Sequence, residues 1–258
     1  MPLTQRALKD LRALRLKKHR LARGQALVEG ARLVGEALNS QAEVGQVLMT
    51  ADFARSGQAV ALESPLHARH LAATTITSVQ AEQLADTRQP QGVFAVVALP
   101  TEPPPLQRLL RPPILILDHI ADPGNLGTLL RTAHWFGLQA VWVSAGSADI
   151  SSPKVLRGGM GAHFRLPALW QGDLAPLADG LPGAGITVLG ASLGSHPLES
   201  LSISGDKWAL VVGSEARGLG EFWRHRLDQA VSIGGAGRAE SLNVAVAAGI
   251  ILHYLRAG

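Results

Sequence analysis

The chain of 258 residues is long enough for one large domain or two small ones, and at 47% hydrophobic and 17% charged residues it is too apolar to stay disordered. The absence of cysteine excludes disulfides, thiolate zinc sites and a cysteine nucleophile, so any metal would need His or carboxylate ligands. The net charge of +4 is concentrated at one end: residues 1–32 carry nine Lys and Arg against Asp10 and Glu29, while the rest carries fifteen basic and eighteen acidic side chains.

In that basic segment Leu3, Ala7, Leu8, Leu11 and Leu14 recur at spacings of three and four, which predicts a basic amphipathic helix with its charges off the apolar face. An ordinary solvated helix face and a docking surface for RNA phosphates both fit the pattern; Lys17, Lys18, Arg20, Arg23 and Arg32 are the candidate phosphate contacts. The segment lacks a secretory apolar core, contains Asp10 and has no serine before Ser40, so a mature cytoplasmic protein is expected. Residues 25–99 read as a small α/β unit, with helices over 31–38 and about 81–86 and strands over 44–50 and 92–99. Six of the fifteen prolines then fall within residues 100–113, a composition that predicts an extended linker and a domain boundary.

Beyond the linker, β-type runs at 114–118, 140–144, 186–192, 208–213 and 230–233 alternate with helical stretches at 125–136, near 153–160 and 174–180, and at 241–256. Such alternation predicts α/β layers around a mostly parallel sheet covered on both faces. Residues 244–252 of the last helix leave almost no polar face, so it is expected to be buried all round, at a subunit interface as well as in a core. That run is far short of the roughly 20 residues that cross a bilayer.

Three Gly-rich loops follow strands in this half. Asp122-Pro-Gly-Asn125-Leu-Gly127 opens a helix that carries Arg131 about 9 Å further along its axis. Gly213-Ser-Glu215-Ala-Arg217-Gly218-Leu-Gly220 follows the strand over 208–212, and Gly234-Gly-Ala-Gly237-Arg-Ala-Glu240-Ser241-Leu-Asn243 follows that over 230–233 and caps the last helix. In an open parallel sheet such loops gather at the carboxyl edge, where ligands bind, although each alone also fits a plain turn. Gly213 to Gly218 has the spacing of a P-loop, but Leu219 and Gly220 replace its Lys-Ser/Thr. A competing pattern, Gly190-Ala-Ser192-Leu-Gly194, fits the nucleophile elbow of a serine hydrolase, with Asp206 or Asp228 and His225 or His253 available as partners. Against it, Ser195-His-Pro197 is a poor helix start where an elbow runs straight into a helix. His67 and His70 could share a helix face, yet no carboxylate ligand pattern accompanies them.

Taken in order, the three loops resemble the SpoU (TrmH-type) ribose 2′-O-methyltransferases of the SPOUT class. The first motif of that family is similar to Asn125-Leu-Gly127-Thr-Leu-Leu-Arg131-Thr-Ala with Phe136-Gly137, the second to Gly213-Ser-Glu215-Ala-Arg-Gly218-Leu, and the third to Ile233 followed by Glu240-Ser241-Leu242-Asn243-Val244. The stretch from Ser152 to Gly161 also resembles one the family carries. Lys18-His-Arg20, Val28-Glu29-Gly30-Ala-Arg32 and Gln89-Pro-Gln-Gly92 are similar to the ribosomal-protein-like RNA-binding domain that precedes the catalytic domain in many members.

The resemblance implies an α/β protein with a small RNA-binding domain over 1–99, a linker over 100–113 and a trefoil-knotted methyltransferase domain over 114–258. It also implies S-adenosylmethionine as donor, no metal, and a homodimer built around the last helix. Arg131 is the family-matched catalytic residue, supported by Asn125, Glu215, Ser241 and Asn243; Gly213, Glu215, Gly218, Ile233 and Leu242 are expected to hold the donor. A guanidinium is a poor base, so Arg131 is expected to position a phosphate or the hydroxyl and stabilise developing negative charge. The two-domain form leans toward 23S ribosomal RNA over transfer RNA as the substrate. A transfer RNA ribose methyltransferase, a non-catalytic RNA-binding or assembly protein, and a hydrolase using Ser192 are the alternatives. Two departures stand out: Gly234-Gly235 where the family often has a Pro-Met-like pair, and Gly159 where many members place Ser.

Overall fold

The computed structural model describes residues 3–203, 205–214, 218–238 and 240–257. Its chain forms two units, Met1–Glu102 with Ser151–Arg165, and Pro103–Ile150 with Leu166–Gly258.

In the first unit, α1 (Gln5–Ala13), α2 (Lys17–Arg23), β1 (Gln25–Glu29), α3 (Ala31–Leu38), β2 (Val44–Thr50), α4 (Ala51–Ala54), α5 (Gly57–Ala68), β3 (Ala73–Ile76), α6 (Ser78–Leu84) and β4 (Val93–Ala98) follow one another. The strands lie in the order β1-β4-β2-β3, antiparallel except between β2 and β3. Central β4, Val-Phe-Ala-Val-Val-Ala, is an unbroken apolar run because both of its faces are covered. Val93, Ala95 and Val97 pack with Leu33 and Val34 of α3 and Leu62 of α5; Phe94 and Val96 belong to a second cluster with Leu8, Leu11, Leu14 and Leu84. Helix α6 starts three residues earlier than its apolar pattern predicts, because Thr77 and Gln80 form a capping box with bonds of 3.1 and 3.0 Å.

The apolar stripe of α1 is buried as its spacing predicts, but the basic segment is not one helix. After Leu11 the backbone closes through shorter-range bonds, Leu14 to Leu11, Arg15 to Arg12 and Leu16 to Ala13, and a second helix begins at Lys17. The stripe has ended there: Leu16 and Leu21 are exposed. The break is held by Arg20, whose Nη1 donates to the carbonyls of Leu14 at 2.9 Å and Arg15 at 2.7 Å.

Residues 151–165 lie in the middle of the span expected for the catalytic domain, yet they pack with the first unit. Their helix, Pro153–Gly159, is capped by Ser152. Leu156 is buried in the cluster around α3, Arg157 Nη2 pairs with Asp86 at 2.7 Å, and Arg165 Nε pairs with Glu36 at 2.8 Å. In space this return of the chain groups with the first unit, because apolar burial and two ion pairs, not sequence adjacency, decide its place.

The second unit contains α7 (Leu106–Leu109), β5 (Ile114–Leu117), α8 (Pro123–Trp135) and β6 (Ala140–Ser144). With α9 the helix Pro153–Gly159 above, it continues through β7 (Leu169–Gly172), α10 (Ala175–Gly180), β8 (Thr187–Pro197), β9 (Trp208–Val212), α11 (Glu221–Arg224), β10 (Gln229–Ser232) and α12 (Val244–Ala257). The strands lie in the order β10-β8-β9-β5-β6-β7 and are parallel throughout. Central β5, β6 and β9 are buried at every position, the reason their sequences read as continuous apolar runs. The chain builds outward from β5 through β6 to β7 and then crosses to the other side, so the strand order reverses between β5 and β9.

Three expectations change in this unit. Residues 103–113 are not an extended linker: Leu109 is buried in the core and its carbonyl accepts from Trp142 Nε1 at 2.8 Å, so the leucines between the prolines outweigh the proline-rich composition. Ser192 is not on a nucleophile elbow. Strand β8 pairs Gly190 with Ala230 and resumes at His196 with Val231, so residues 191–195 leave the ladder and return to it without entering a helix. Helix α12 is not buried all round in the single chain. Val244, Ala245, Ala248, Ile251 and Leu252 are buried, while Val246 and Ile250 remain 50% and 41% exposed, as does Leu242, just before the helix, at 46%.

Candidate active site

At the carboxyl edge of the second sheet, the turn after β5 ends in Asp122, whose carboxylate accepts from Asn125 N at 2.8 Å and caps α8, with Pro123 in its first turn. This cap fixes the register of α8. Leu126, Leu129, Leu130 and Ala133 face the core, and Arg131 is turned out to solvent.

The loop after β10 reaches the same place. Asn243 stands immediately before α12, its Oδ1 accepting from Ala245 N at 2.9 Å and Val246 N at 3.4 Å. Its Nδ2 donates to Asn125 Oδ1 at 3.0 Å, a hydrogen bond across 118 positions of sequence. Two of the three predicted loops are thus joined by the side chains predicted to act together. Ser241 and Leu242 are exposed beside that bond in sequence, and Ile233 is half-buried at the end of β10.

The loop after β9 turns back on itself. Gly218 N donates to Ser214 O at 2.7 Å, and Gly218 takes a φ of +63°. A Cβ on Gly213 would lie 2.3 Å from the Gly218 carbonyl oxygen, so the close approach of the two strands of the loop requires glycine there. Glu215, predicted for both catalysis and donor binding, lies outside the described residues, as do Ala216 and Arg217.

One feature of this edge has no counterpart among the sequence motifs. Asp118 and His119 follow β5 directly, with the carboxylate buried and the imidazole 66% exposed and 2.7 Å from it. The available signal was positional: two titratable residues at the end of the strand that borders the reversal point.

The predicted RNA contacts divide differently from expectation. Lys17, Lys18, Arg23 and Arg32 are exposed in the first unit. Arg20 is 3% exposed, and besides its two carbonyl partners it donates from Nε to Ser151 Oγ at 3.0 Å. Its donors are used inside the unit, so Arg20 is withdrawn from the phosphate-binding set. Arg23 is partly engaged, its Nη2 lying 2.6 Å from Asp10 and holding that carboxyl below its ordinary range. His67 and His70 do not share a helix face, since α5 ends at Ala68 and His70 takes a φ of 54° beyond it. Among the described residues no group of three His, Asp or Glu is placed to hold a metal, and no helix is long and apolar enough to cross a membrane.

Comparison with known proteins bears on both units. Residues 112–253 match the SpoU rRNA Methylase family, and residues 5–95 match the MRM3-like substrate binding domain. The chain is 34% identical over 249 residues to the 23S rRNA (guanosine(2553)-2′-O)-methyltransferase RlmP of Bacillus subtilis, covering 96% of this chain and 95% of that protein. Among solved structures it is similar to the AdoMet complex of the SpoU methyltransferase AviRb from Streptomyces viridochromogenes, with a TM-score of 0.84, 26% identity and coverage of 98% and 97% of the two chains. It is also similar to an AdoMet-bound rRNA methyltransferase from Sinorhizobium meliloti, with a TM-score of 0.85, 26% identity and coverage of 100% and 96%.

Proposed function

The chain belongs to the SpoU rRNA methylase family, and from that premise we propose that it transfers the methyl group of S-adenosylmethionine to a ribose 2′-hydroxyl in 23S ribosomal RNA. The observation that carries the reading is the hydrogen bond between Asn243 and Asn125, which ties the first and third motif loops together at the ligand-binding edge of a parallel sheet.

S-adenosylmethionine is the donor, and when bound it supplies a methyl group activated by a sulfonium. The loop after β9 fits such a ligand: its doubling back at Gly213 and Gly218 leaves main chain, uncovered by side chains at those positions, at the edge of the sheet. Gly213 and Gly218, with Glu215, are assigned to its polar groups, and Ile233 and Leu242 to its apolar surface. In-line transfer demands orientation above all. Arg131 holds a phosphate or the attacking hydroxyl and stabilises negative charge growing on oxygen, Asn125 and Asn243 tie the starts of α8 and α12 together, and Ser241 supports the reaction beside them.

The exposed residues Val246 and Ile250 give α12 a second apolar face, and Trp135 of α8 is 84% exposed. Helix α12 packs on α8. A second copy of the chain covering that face is the expected homodimer. Changing Val246 and Ile250 together to Glu is expected to convert a dimer to a monomer in sedimentation; a wild-type chain that already sediments as a monomer would sink the idea. The family's trefoil knot is supported by the path of the C-terminus. Strand β10 lies at one edge of the sheet, yet α12 packs on the helix that follows central β5.

The first unit supplies RNA docking in the cytoplasm, with Lys17, Lys18, Arg23 and Arg32 toward phosphates. Lys17→Ala with Lys18→Ala is expected to weaken binding on all RNA sequences and to flatten the dependence of log affinity on log salt by about one to two. Filter binding at several salt concentrations checks this, and an unchanged slope would exclude both lysines from the interface.

Mapping of 2′-O-methyl groups in total RNA, from cells with and without the gene, tests the function. Loss of one site in 23S ribosomal RNA is the expected result. A lost site in transfer RNA would redirect the assignment, and no lost site with RNA binding intact would favour an assembly protein.

A further inference from the structure

Methyl transfer releases the proton of the ribose hydroxyl, and a guanidinium, which stays protonated, is poorly suited to accept it. We propose that His119, oriented by Asp118, accepts that proton. The assignment rests on the methyl-transfer reading above and deepens it.

Position is the first argument. Asp118 and His119 close β5 at the point where the strand order reverses, on the segment that leads through Asp122 into Asn125 and Arg131. Asp118 N donates to Val212 O at 2.9 Å, which extends the pairing of β5 with β9 up to the donor-binding loop.

The geometry of the pair is the second. Asp118 is 7% exposed, and its Oδ1 is 2.7 Å from His119 Nδ1. A carboxylate there accepts the Nδ1 proton and leaves the Nε2 lone pair of the neutral ring available, on a side chain that is itself largely open to solvent. The buried acid thus sets the tautomer and the exposed imidazole carries the reactive nitrogen, the division of labour that marks a general base.

The third argument is strain. His119 holds a φ of 57°, a conformation uncommon for a residue with a side chain. It is held there by its N–H, which donates to Ser144 Oγ at 2.8 Å, and by the next residue, whose N–H donates to Ser147 Oγ at 3.0 Å; the two hydroxyls are 3.1 Å apart. The ring also packs against Gly146, where a Cβ would lie 2.6 Å from Cδ2 and 2.8 Å from Nε2, so glycine there makes room for the imidazole in this position. A costly conformation that the surroundings so fully specify points to use. The facing groups are Asp118 from its own segment, the uncharged Ser144 at the end of β6, and Gly146 and Ser147 from the loop after it; on the β9 side, Gly220 borders the second Asp118 oxygen.

In the step itself, the ribose 2′-oxygen gains the methyl carbon, the electron pair of the broken carbon–sulfur bond stays with sulfur, and the hydroxyl proton passes to Nε2 of His119. The resulting imidazolium is stabilised by the Asp118 carboxylate until it gives the proton to solvent.

Single-turnover methylation of 23S RNA transcribed in vitro, followed against pH with the full chain, tests the assignment. The wild-type rate is expected to rise with pH along a limb set by one ionisation. His119→Asn and His119→Gly both tolerate a left-handed backbone, and each is expected to lose about 10²-fold in rate together with that limb. Added imidazole is expected to restore His119→Gly. Asp118→Asn, which removes the carboxylate that orients the ring through Nδ1, is expected to slow the reaction while leaving donor affinity unchanged. Calorimetric donor binding and melting of each variant separate chemistry from folding. Retention of the limb by either His119 variant overturns the assignment while leaving methyl transfer intact; a wild-type chain that transfers no methyl group overturns the reaction and the assignment together.

Discussion

Arg131→Ala is expected to slow single-turnover methyl transfer by about 10²–10³-fold while the affinity for S-adenosylmethionine and the melting temperature stay close to wild type. The residue projects from α8 on the side opposite Leu126, Leu129, Leu130 and Ala133, so its loss opens no cavity and leaves the helix packed. Alanine is also a better helix former than the residue it replaces. What is lost is a planar donor on a rigid element whose register is set two turns earlier by the Asp122 cap and by the Asn125–Asn243 bond. Arg131→Lys keeps the charge without the fork and should fall between the two. A rate within a few-fold of wild type for Arg131→Ala, measured with saturating donor, would remove the residue from the reaction.

Gly213→Ala is expected to have the largest effect on the donor. The added methyl carbon would meet the Gly218 carbonyl oxygen at 2.3 Å, its carbon at 2.5 Å and Leu219 N at 2.8 Å, all of them backbone atoms that no rotamer change can move aside. The loop between Gly213 and Leu219 must therefore open, at a cost of about 1–3 kcal/mol by analogy with overpacked sites. Donor affinity should fall at least about tenfold if most of that cost falls on the bound state. Titration calorimetry measures the affinity and scanning calorimetry the stability. An alanine variant with both unchanged would mean that the loop is not built as described.

Both expectations rest on residues that stand out in the amino-acid sequence alone, and the reason is the local nature of their signals. Asp122, Pro123 and the apolar spacing from Leu126 to Ala133 announce a capped helix with Arg131 on its free side. Ile-Leu-Ile-Leu, Ala-Val-Trp-Val and Trp-Ala-Leu-Val-Val announce strands buried on both faces. Other elements are silent. Helix α5 contains Pro65 and carries apolar residues on several sides, with Val60 exposed, so no period of 3.6 emerges. Strand β7, Leu-Trp-Gln-Gly, is half-buried at the edge of its sheet and shows neither alternation nor a continuous run.

The N-terminal charge shows where local reading stops. Nine basic residues in 32 positions look alike in a sequence, yet Lys17 and Lys18 are exposed and Arg20, two residues on, is buried and donates hydrogen bonds to Leu14 O, Arg15 O and Ser151 Oγ. One of those bonds goes to Ser151, and a partner 131 positions away leaves no trace in the neighbouring residues. The same holds for the grouping of Ser151–Arg165 with the first unit.

By itself, then, the sequence determined the α/β layering and the place of the three loops at strand ends, because capping, periodicity and glycine spacing are properties of short stretches; the reaction family came from the resemblance of the three motifs, in order, to known methyltransferases. Tertiary structure alone decided which of those residues meet. It joined Asn125 to Asn243, left one apolar face of α12 bare, took Arg20 out of solvent and set His119 on the Asp118 carboxylate. Each of these depends on packing and hydrogen bonds between distant parts of the chain or on a backbone conformation that such packing imposes, and energies of that kind are not written in any local pattern.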